Sequence, residues 1–165
     1  MKIIVIADTH MPKRGMNLPE KLIEGLRDAE LIIHAGDWQK LEVYEQLVHY
    51  APVEGVFGNV DGEEIKQRFS EKRLLEIKGK RIGIVHGHGQ KGTTEKRAIT
   101  AFADESVDMI IFGHSHIPVK KEINGVLLFN PGSPTDKRRQ PKFSYGVISV
   151  DGDLQAEHVF FDSKE

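Results

Sequence analysis

The sequence predicts a mixed α/β fold with two β-sheets and helices packed outside them, and three observations support this prediction. The first third of the chain alternates apolar strands with amphipathic helices, which is typical of parallel strands joined by right-handed crossovers. The second half contains three pairs of strands separated by short turns, which is typical of hairpins. Hydrophobic residues make up 39% of the 165 residues and charged residues 29%, the composition of an ordinary globular domain.

Strands and helices alternate in the first third of the chain. Continuous apolar or β-branched runs predict buried strands at residues 2–7, 31–35 and 53–57. A helix is expected to start within residues 17–20, where Asn17 offers a cap and Pro19 suits a first turn. The next helix is predicted from an apolar stripe at helical spacing, formed by Val43, Tyr44, Leu47 and Val48.

Short turns organise the second half. Strand pairs are predicted at residues 73–77 and 81–86, at 119–123 and 126–129, and at 145–150 and 154–161. Asn124-Gly125 is a strong signal for a two-residue hairpin turn. Thr93 can start a helix, and residues 108–112 form a further apolar strand. Residues 130–142 are rich in Pro, Gly and basic side chains and are expected to form a long loop.

Length and composition predict one domain over residues 1–165, since chains of this size seldom divide. The 23 Lys and Arg nearly balance the 25 Asp and Glu, so there is no strong nucleic-acid signal. Without cysteine, the chain has no disulfide, no thiolate metal site and no cysteine nucleophile. The apolar runs are too short for a membrane span or a signal peptide. We therefore expect a soluble, cytoplasmic protein without a membrane partner.

Five of the apolar strands are followed at once by side chains that can bind a metal ion. These are Asp8 and His10, Asp37, Asn59, His86, and His114 and His116. The carboxyl ends of strands in an open α/β sheet line one crevice, so these donors can converge there. Seven donors exceed the needs of one ion and suit two, with Asp37, which lies between Gly36 and Trp38, as the bridge. A shell of nitrogen and oxygen without sulfur suits Mn, Fe, Co, Ni or Zn.

Each donor also has a purely structural interpretation, such as a turn residue for an aspartate or a packed side chain for a histidine. His49 and His158 are assigned to that class. His34 either supports a neighbouring ligand or is a packed neutral histidine. The five segments together, in order and each after an apolar strand, argue against a structural interpretation of the whole set.

Along the chain these residues form the blocks Asp-x-His, Gly-Asp, Gly-Asn, His and Gly-His-x-His. In this order the sequence resembles the calcineurin-like metallophosphoesterases, and residues 130–133 (Asn-Pro-Gly-Ser) are similar to the small YfcE-type branch. The resemblance runs from residue 8 to about residue 133 and implies a four-layer α-β-β-α sandwich with two mixed β-sheets. It also implies a dinuclear centre, with one ion on Asp8, His10, Asp37 and His116 and the other on Asp37, Asn59, His86 and His114.

The resemblance implies a divalent-metal-dependent phosphoesterase that hydrolyses a small phosphate ester by direct attack of a metal-bridging hydroxide. Two divalent ions per chain are expected, with manganese first and nickel, iron, cobalt or zinc as alternatives. Asp37 and Asn59 are the expected catalytic residues among the ligands. The expected substrate contacts are Asn59, His88 and Arg138. A solvated run of charges is the alternative interpretation of Arg138.

One position departs from the family pattern. Many members have Gly-Asn-His-Asp, where the histidine helps to protonate the leaving oxygen, whereas here Val60 stands between Asn59 and Asp61. Without that acid, leaving groups of high pKa should depart slowly, which favours phosphodiesters over aliphatic monoesters. His88 is the candidate for a substitute catalytic acid or a substrate contact, or it stabilises its loop. Asp61 is expected to cap the segment 63–69.

Three alternative functions stay open at this stage: a noncatalytic interaction scaffold, like the retromer subunit that shares this fold, a phosphomonoesterase, and a nucleotide-cofactor-binding protein. The last rests on residues 87–92, which fit Gly-x-Gly-x-x-Gly but follow a hairpin strand. The complete ligand set favours the hydrolase, because a scaffold would be expected to have lost several donors. The hairpin edges also leave room for a homodimer.

Overall fold

Ten strands and four short helices form the fold in the computed structural model, which describes residues 1–165. The strands are β1 (Lys2–Ile6), β2 (Leu31–His34), β3 (Val53–Gly55), β4 (Lys72–Ile77), β5 (Lys80–Val85), β6 (Met109–Ile111), β7 (Val119–Ile123), β8 (Val126–Asn130), β9 (Phe143–Asp151) and β10 (Asp153–Phe161). The helices are α1 (Glu20–Leu26), α2 (Glu42–Val48), α3 (Glu63–Arg68) and α4 (Thr94–Ala101).

The strands form two five-stranded sheets, and each sheet mixes parallel with antiparallel pairs. The first sheet has the order β10-β9-β1-β2-β3, in which β1, β2 and β3 are parallel and β9 is antiparallel to both its neighbours. The second has the order β4-β5-β6-β8-β7, with β5, β6 and β8 parallel and antiparallel strands at both edges. All three predicted hairpins are present as antiparallel pairs.

Alternating side chains direct the two faces of each sheet into different layers. In β1, Ile3 enters the core between the sheets, whereas Ile4 faces the layer formed by α1, α2 and α3. In β6, Ile111 enters the same inter-sheet core, whereas Ile110 packs with Ala98 of α4. Burial on both faces explains why these strands are continuous apolar runs in the sequence. The result is an α-β-β-α sandwich with two mixed sheets, as the resemblance implied.

Two local features confirm the hairpin turn and the helix start that the sequence predicts. Asn124 and Gly125 have φ values of 51° and 81°, the left-handed conformations that a type I′ hairpin turn requires. Thr93 caps α4, since its Oγ1 accepts a hydrogen bond of 3.1 Å from the backbone N–H of Lys96.

None of the four helices reaches the length and apolar character that a bilayer crossing requires.

Three local predictions are wrong. The strand β3 ends at Gly55, two residues before the predicted end, although the N–H of Val56 still donates to the carbonyl of His34 at 3.1 Å. Val56 also forms an isolated bridge with Ser70. Asn17 does not cap α1, whose N-cap position is occupied by Pro19 without a side-chain hydrogen bond. Val48 is not part of the buried stripe of α2, since it is 43% exposed at the end of the helix.

Truncation of Ile111 to alanine should lower the free energy of unfolding by about 2–5 kcal/mol, because this side chain is fully buried between the sheets. Ile123 on the edge strand β7 is 36% exposed and provides a matched control. Ile123→Ala should cost less than about 1 kcal/mol. Urea unfolding followed by circular dichroism measures both variants, and equal losses would contradict this assignment of the core.

Candidate metal centre

The carboxyl ends of four strands meet where the two sheets come together. Asp8 and Asp37 follow β1 and β2 in the first sheet, and His86 and His114 follow β5 and β6 in the second. His86 Nε2 lies 3.1 Å from Asp37 Oδ2 and 3.7 Å from Asp8 Oδ1. Carboxylates from one sheet and imidazoles from the other therefore meet at one buried point, as expected for strand ends that line a shared crevice.

Six of the seven predicted metal ligands fall into two groups of three. The first group is Asp8, His10 and His116, and the second group is Asp37, His86 and His114. Within each group the candidate ligand atoms all lie within 4.8 Å of one another. The two groups are in contact, since His10 Nε2 is 3.6 Å from Asp37 Oδ2 and His86 Nε2 is 3.7 Å from Asp8 Oδ1. The resemblance divides these six residues in the same way, but it also assigns Asn59 to the second group and Asp37 to both, and those two assignments stay predictions.

The backbone at these positions is in a conformation that side chains rarely adopt. Left-handed φ values of 56°, 46°, 60°, 72° and 64° occur at Asp8, His10, Asp37, His114 and His116. Such strain persists only where the surrounding structure imposes it, and it concentrates at functional sites. Gly58 is needed for the same convergence, because a Cβ at this position would lie 2.2 Å from Asp37 Oδ1.

Backbone carbonyls orient two of the imidazoles. His86 Nδ1 is 2.8 Å from the carbonyl oxygen of Ala35, and His116 Nδ1 is 2.5 Å from that of Asp136. A carbonyl oxygen can only accept, so each Nδ1 carries the proton and donates it. In the neutral ring the lone pair is then on Nε2, the atom that points at the carboxylates. A partner on the second ring nitrogen is the usual arrangement of a metal-binding histidine.

Asp37 and His86 form a buried ion pair. Burial acts to raise the pKa of Asp37, but contact with His86 and the N–H of Val60, 3.0 Å from Oδ1, outweigh it and hold this pKa at about 2. Burial acts to lower the pKa of His86, but Asp37 and Asp8 outweigh it and raise this pKa to about 9. Both side chains are therefore charged at neutral pH, and a cation that binds His86 Nε2 would have to displace its proton.

The other ligand candidates carry less charge. Burial raises the pKa of Asp8 to about 7, although the positive charge of His86 opposes the rise. Burial lowers the pKa of His114 and of His116 to about 4, and it also lowers the pKa of His10. These three imidazoles are neutral at pH 7, so each offers a lone pair to a cation.

The donor atoms fit a divalent cation. Both carboxylate oxygens of Asp8 and the Nε2 atoms of His10 and His116 are buried without a hydrogen-bond partner. Buried polar atoms are otherwise nearly always paired, so four such atoms in one place point to a bound group. Carboxylate oxygen and imidazole nitrogen without sulfur suit borderline divalent metals such as manganese, iron, cobalt, nickel and zinc.

Asp61 does not cap the helix α3, contrary to the prediction. The N-cap position of α3 is Gly62, without a side-chain hydrogen bond. The Asp61 carboxylate instead accepts backbone N–H bonds from Asp37, Gly58 and Gln39, at 2.9, 2.8 and 2.8 Å. It therefore fastens the loop after β3 to the loop that carries Asp37. The Gly-Asn-x-Asp block in the sequence contains this residue, but its spacing does not show where the carboxylate points.

His34 combines the two interpretations, since it is a packed neutral histidine and it also supports the loops that carry two ligand candidates. Its Nδ1 accepts the N–H of Gly36 at 3.1 Å, so Nε2 carries the proton and donates to Thr9 Oγ1 at 3.0 Å. Thr9 Oγ1 in turn donates to the carbonyl of Trp38 at 3.2 Å, and the His34 ring stacks on the Trp38 ring at 3.9 Å. These bonds join the loop after β1 to the loop after β2, and so they fix Asp8 relative to Asp37.

Three predicted residues lie at the rim of the centre. Asn59 is on the exposed turn after β3, next to the Val60 N–H that binds Asp37. The ring of His88 is 5.5 Å from the ring of His86, and its Nε2 is 3.9 Å from Glu71 Oε1. The Arg138 side chain is 55% exposed, with Nε 3.9 Å from Asp136 Oδ2. Their predicted roles remain predictions.

The loop after β8 is anchored to the loop that carries the first group, which the sequence analysis missed. Ser133 Oγ donates to the carbonyl of Asp8 at 2.8 Å, and Thr135 Oγ1 donates to the carbonyl of Thr9 at 2.6 Å. Both side chains are 1% exposed. Hydroxyl groups in a Pro- and Gly-rich segment were the available signal, since such a segment can stay buried only if its polar groups are paired.

A surface cavity of about 710 Å³ contains none of the predicted ligands. It is lined by Lys80 at the start of β5 and by Asp153 at the start of β10, among others. Strand β5 carries His86 at its other end, so this cavity lies at the opposite ends of the strands from the ligand groups. Its size is therefore no guide to the chemistry of the protein.

Comparison with known proteins finds a family model and relatives that match most of the chain. Residues 1–153 match the model of the calcineurin-like phosphoesterase superfamily domain. A probable metallophosphoesterase of Methanothermobacter thermautotrophicus is 38% identical over 161 residues, which cover 96% of this chain and 92% of the relative. A phosphodiesterase of Methanocaldococcus jannaschii is 32% identical over 150 residues, which cover 80% of this chain and 83% of that protein.

The same fold occurs in solved structures of Vps29 proteins. The crystal structure of Vps29 from Entamoeba histolytica in complex with zinc has a TM-score of 0.77 and 26% sequence identity. The match covers 97% of this chain and 99% of that one. A divalent cation is therefore found in a protein of this fold.

Substitution of Asp61 by asparagine should weaken the binding of manganese by about 10–100-fold, because residues that support metal ligands contribute on this scale. An amide cannot accept at both ends, so one of the three N–H bonds is lost and the Asp37 loop is released. Isothermal titration calorimetry measures the change, with the exposed Asp153→Asn as a control for charge. Unchanged affinity in Asp61→Asn would contradict the supporting role.

Acid should destabilise the protein through His34, because burial lowers its pKa well below the usual 6.5. The folded state excludes a proton that the unfolded chain binds, so the free energy of unfolding falls as the pH drops below about 6.5, by up to about 1.4 kcal/mol per pH unit from His34 alone. His10, His114 and His116, whose pKa values burial also lowers, add to the slope in the same direction. Urea unfolding between pH 8 and pH 5 measures the slope. Nitrogen-15 NMR should show the neutral Nε2–H ring at pH 5.5, whereas titration near pH 6.5 would refute the packing.

Proposed function

The chain belongs to the calcineurin-like phosphoesterase superfamily, and from this premise we propose that it is a phosphodiesterase that works with two divalent cations. The observation that carries the proposal is the contact between two groups of three candidate ligands at one place. Coordination by nitrogen and oxygen in two adjacent sites is the arrangement of two-metal hydrolases.

In the proposed centre each group holds one cation, and Asp37 lies between them. Asn59 is proposed to complete the second site or to contact the substrate from its exposed turn. When bound, two cations would supply Lewis-acid activation of water and would neutralise the phosphoryl oxygens of an ester. We expect manganese, with nickel, iron, cobalt and zinc as alternatives.

The residues of the chain leave such a centre positively charged. Asp8 and Asp37 supply at most two negative charges, and the imidazoles of His10, His114 and His116 are neutral at pH 7. The four positive charges of two divalent cations would be only half compensated, which favours an anionic substrate. Arg138 adds a further positive charge near the first group, where it lowers the pKa of Asp8 against the larger effect of burial.

The preference for diesters rests on Val60. Its side chain is 46% exposed, and its N–H binds Asp37, so it stands at the edge of the centre without any proton to donate. An ester whose leaving oxygen needs protonation would find no acid at this position. His88 is the proposed substitute contact, since its ring lies beside His86 and remains partly exposed.

A protein-interaction module is the second candidate function, favoured by the structural match to Vps29. Vps29 of Schizosaccharomyces pombe is also 30% identical over 144 residues, which cover 82% of this chain and 73% of that protein. The discriminating result is simple. A chain that binds two metal ions but hydrolyses no phosphate ester would support the interaction module over the hydrolase.

Purified protein should bind two equivalents of manganese and hydrolyse bis(4-nitrophenyl) phosphate, with activity abolished by a chelator. Asp37→Asn should lower kcat/KM by at least about 100-fold, because it removes the carboxylate between the two ions. The exposed Asp104→Asn is the control and should behave as wild type. Elemental analysis and release of 4-nitrophenolate provide the two readouts, and hydrolysis that persists in Asp37→Asn would overturn the assignment.

Val60→His should accelerate hydrolysis of esters with alkyl leaving groups by about tenfold or more, because it supplies a proton donor beside the centre. Esters with nitrophenyl leaving groups need no such proton and should change little. Val60→Gln is the matched control, since it is polar without being an acid. The dependence of kcat on leaving-group pKa measures the effect, and equal changes in both variants would contradict the role of Val60.

A further inference from the structure

A cavity of about 620 Å³ opens beside His88 on the outer side of the second ligand group. Seven residues line it: His88, Gln90, Lys91, Lys96, Arg97, Thr100 and Ala101. They come from the loop after β5 and from the exposed face of α4. We call this space the basic cavity.

The charge of the basic cavity is not compensated. Lys91, Lys96 and Arg97 form no ion pair, whereas Lys121, which approaches α4 from β7, is paired with Glu95. No acidic residue lines the cavity. Glu71, 3.9 Å from His88, has a side chain that is 66% exposed. The lining is therefore net positive, which favours an anion.

Arg97 makes the loop that forms the cavity rigid. Its guanidinium donates to the carbonyls of Gly87, Gly92 and Lys91 at 2.8, 2.8 and 3.1 Å. The backbone of Gly89 packs directly against the Arg97 side chain, since a Cβ at position 89 would lie 2.4 Å from Arg97 Cδ. The glycines of the Gly-x-Gly-x-x-Gly pattern therefore serve to close the loop over an arginine. Lys91 is held on a preorganised loop, which lowers the entropic cost of binding.

The basic cavity is adjacent to the metal centre. The ring of His88, which lines the cavity, is 5.5 Å from the ring of His86 in the second group. His88 Nδ1 is buried without a hydrogen-bond partner, and Nε2 lies 3.9 Å from Glu71 Oε1. A molecule bound at the second group thus has His88 and then the cavity as its next neighbours.

We propose that the basic cavity binds a second phosphate of the substrate, so that the preferred substrates are phosphodiesters carrying an additional phosphate group. This inference rests on the proposed function, because the first phosphate is the one placed at the ligand groups. Lys91 and Lys96 supply point charges, and Gln90 supplies amide donors to the second phosphate. Arg97 is a positioning residue, since most of its N–H groups are bound to the loop.

A pair of nucleotide esters tests the proposal. Thymidine 5′-(4-nitrophenyl phosphate) and its 3′-phosphorylated analogue have the same leaving group and differ only in the second phosphate. The readout is the ratio of their kcat/KM values with manganese-loaded protein. The ratio should favour the 3′-phosphorylated ester in the wild type and should fall by about tenfold in the double variant Lys91→Gln/Lys96→Gln.

The matched control is Lys21→Gln/Lys78→Gln, which removes the same charge from exposed positions on α1 and on the β4–β5 turn. It should leave the ratio unchanged. A ratio near one in the wild type, or an equal fall in both double variants, would overturn the proposal. The second outcome would show that only net charge matters.

Binding provides a readout that does not depend on turnover. Calorimetry should show that thymidine 3′,5′-bisphosphate binds more tightly than thymidine 5′-monophosphate, and that Lys91→Gln/Lys96→Gln removes the difference. Equal affinities in the wild type would refute the second-phosphate site. Hydrolysis of neither ester together with tighter binding of the bisphosphate would refute the phosphodiesterase and leave the basic cavity as an anion site.

Discussion

Asp37 and His86 form a buried ion pair, 3.1 Å between Oδ2 and Nε2, that joins the loop after β2 in one sheet to the loop after β5 in the other. Asp8 lies 3.7 Å from the same imidazole. Two carboxylates in an interior that excludes water repel each other and lose hydration, so they persist there only with positive charge beside them. The protonated His86 supplies this charge, and cations that displaced its proton would supply it instead. The pair therefore joins the two sheets where their ligand-bearing loops meet.

The surrounding structure makes that arrangement rigid. Asp61 binds three backbone N–H groups around Asp37, and His34 with Thr9 ties the loop of Asp8 to the same region. Ser133 fastens a third loop to the carbonyl of Asp8. These bonds explain how Asp8 and Asp37 can remain in a strained left-handed conformation. A site held in this way requires little reorganisation when a charged ligand arrives.

Much of this could be predicted because strand ends obey a simple rule. Polar residues directly after apolar runs lie at one edge of a sheet, so Asp8 and Asp37 could be expected to meet from position alone. Their meeting with His86 and His114 depends on how the second sheet packs on the first. Side-chain direction is not contained in spacing, which is why Asp61 was expected to cap a helix but binds the Asp37 loop. The role of Arg97 was hidden for the same reason. Its partners are carbonyls, which look alike at every position of a sequence.

Anomalous diffraction from a crystal grown with manganese is the most direct test of the central claim, that two adjacent cation sites are built at the junction of the sheets. The account predicts two peaks at the manganese edge, one within coordination distance of Asp8, His10 and His116 and the other of Asp37, His86 and His114. A map without peaks, or with a single peak away from these side chains, would contradict it.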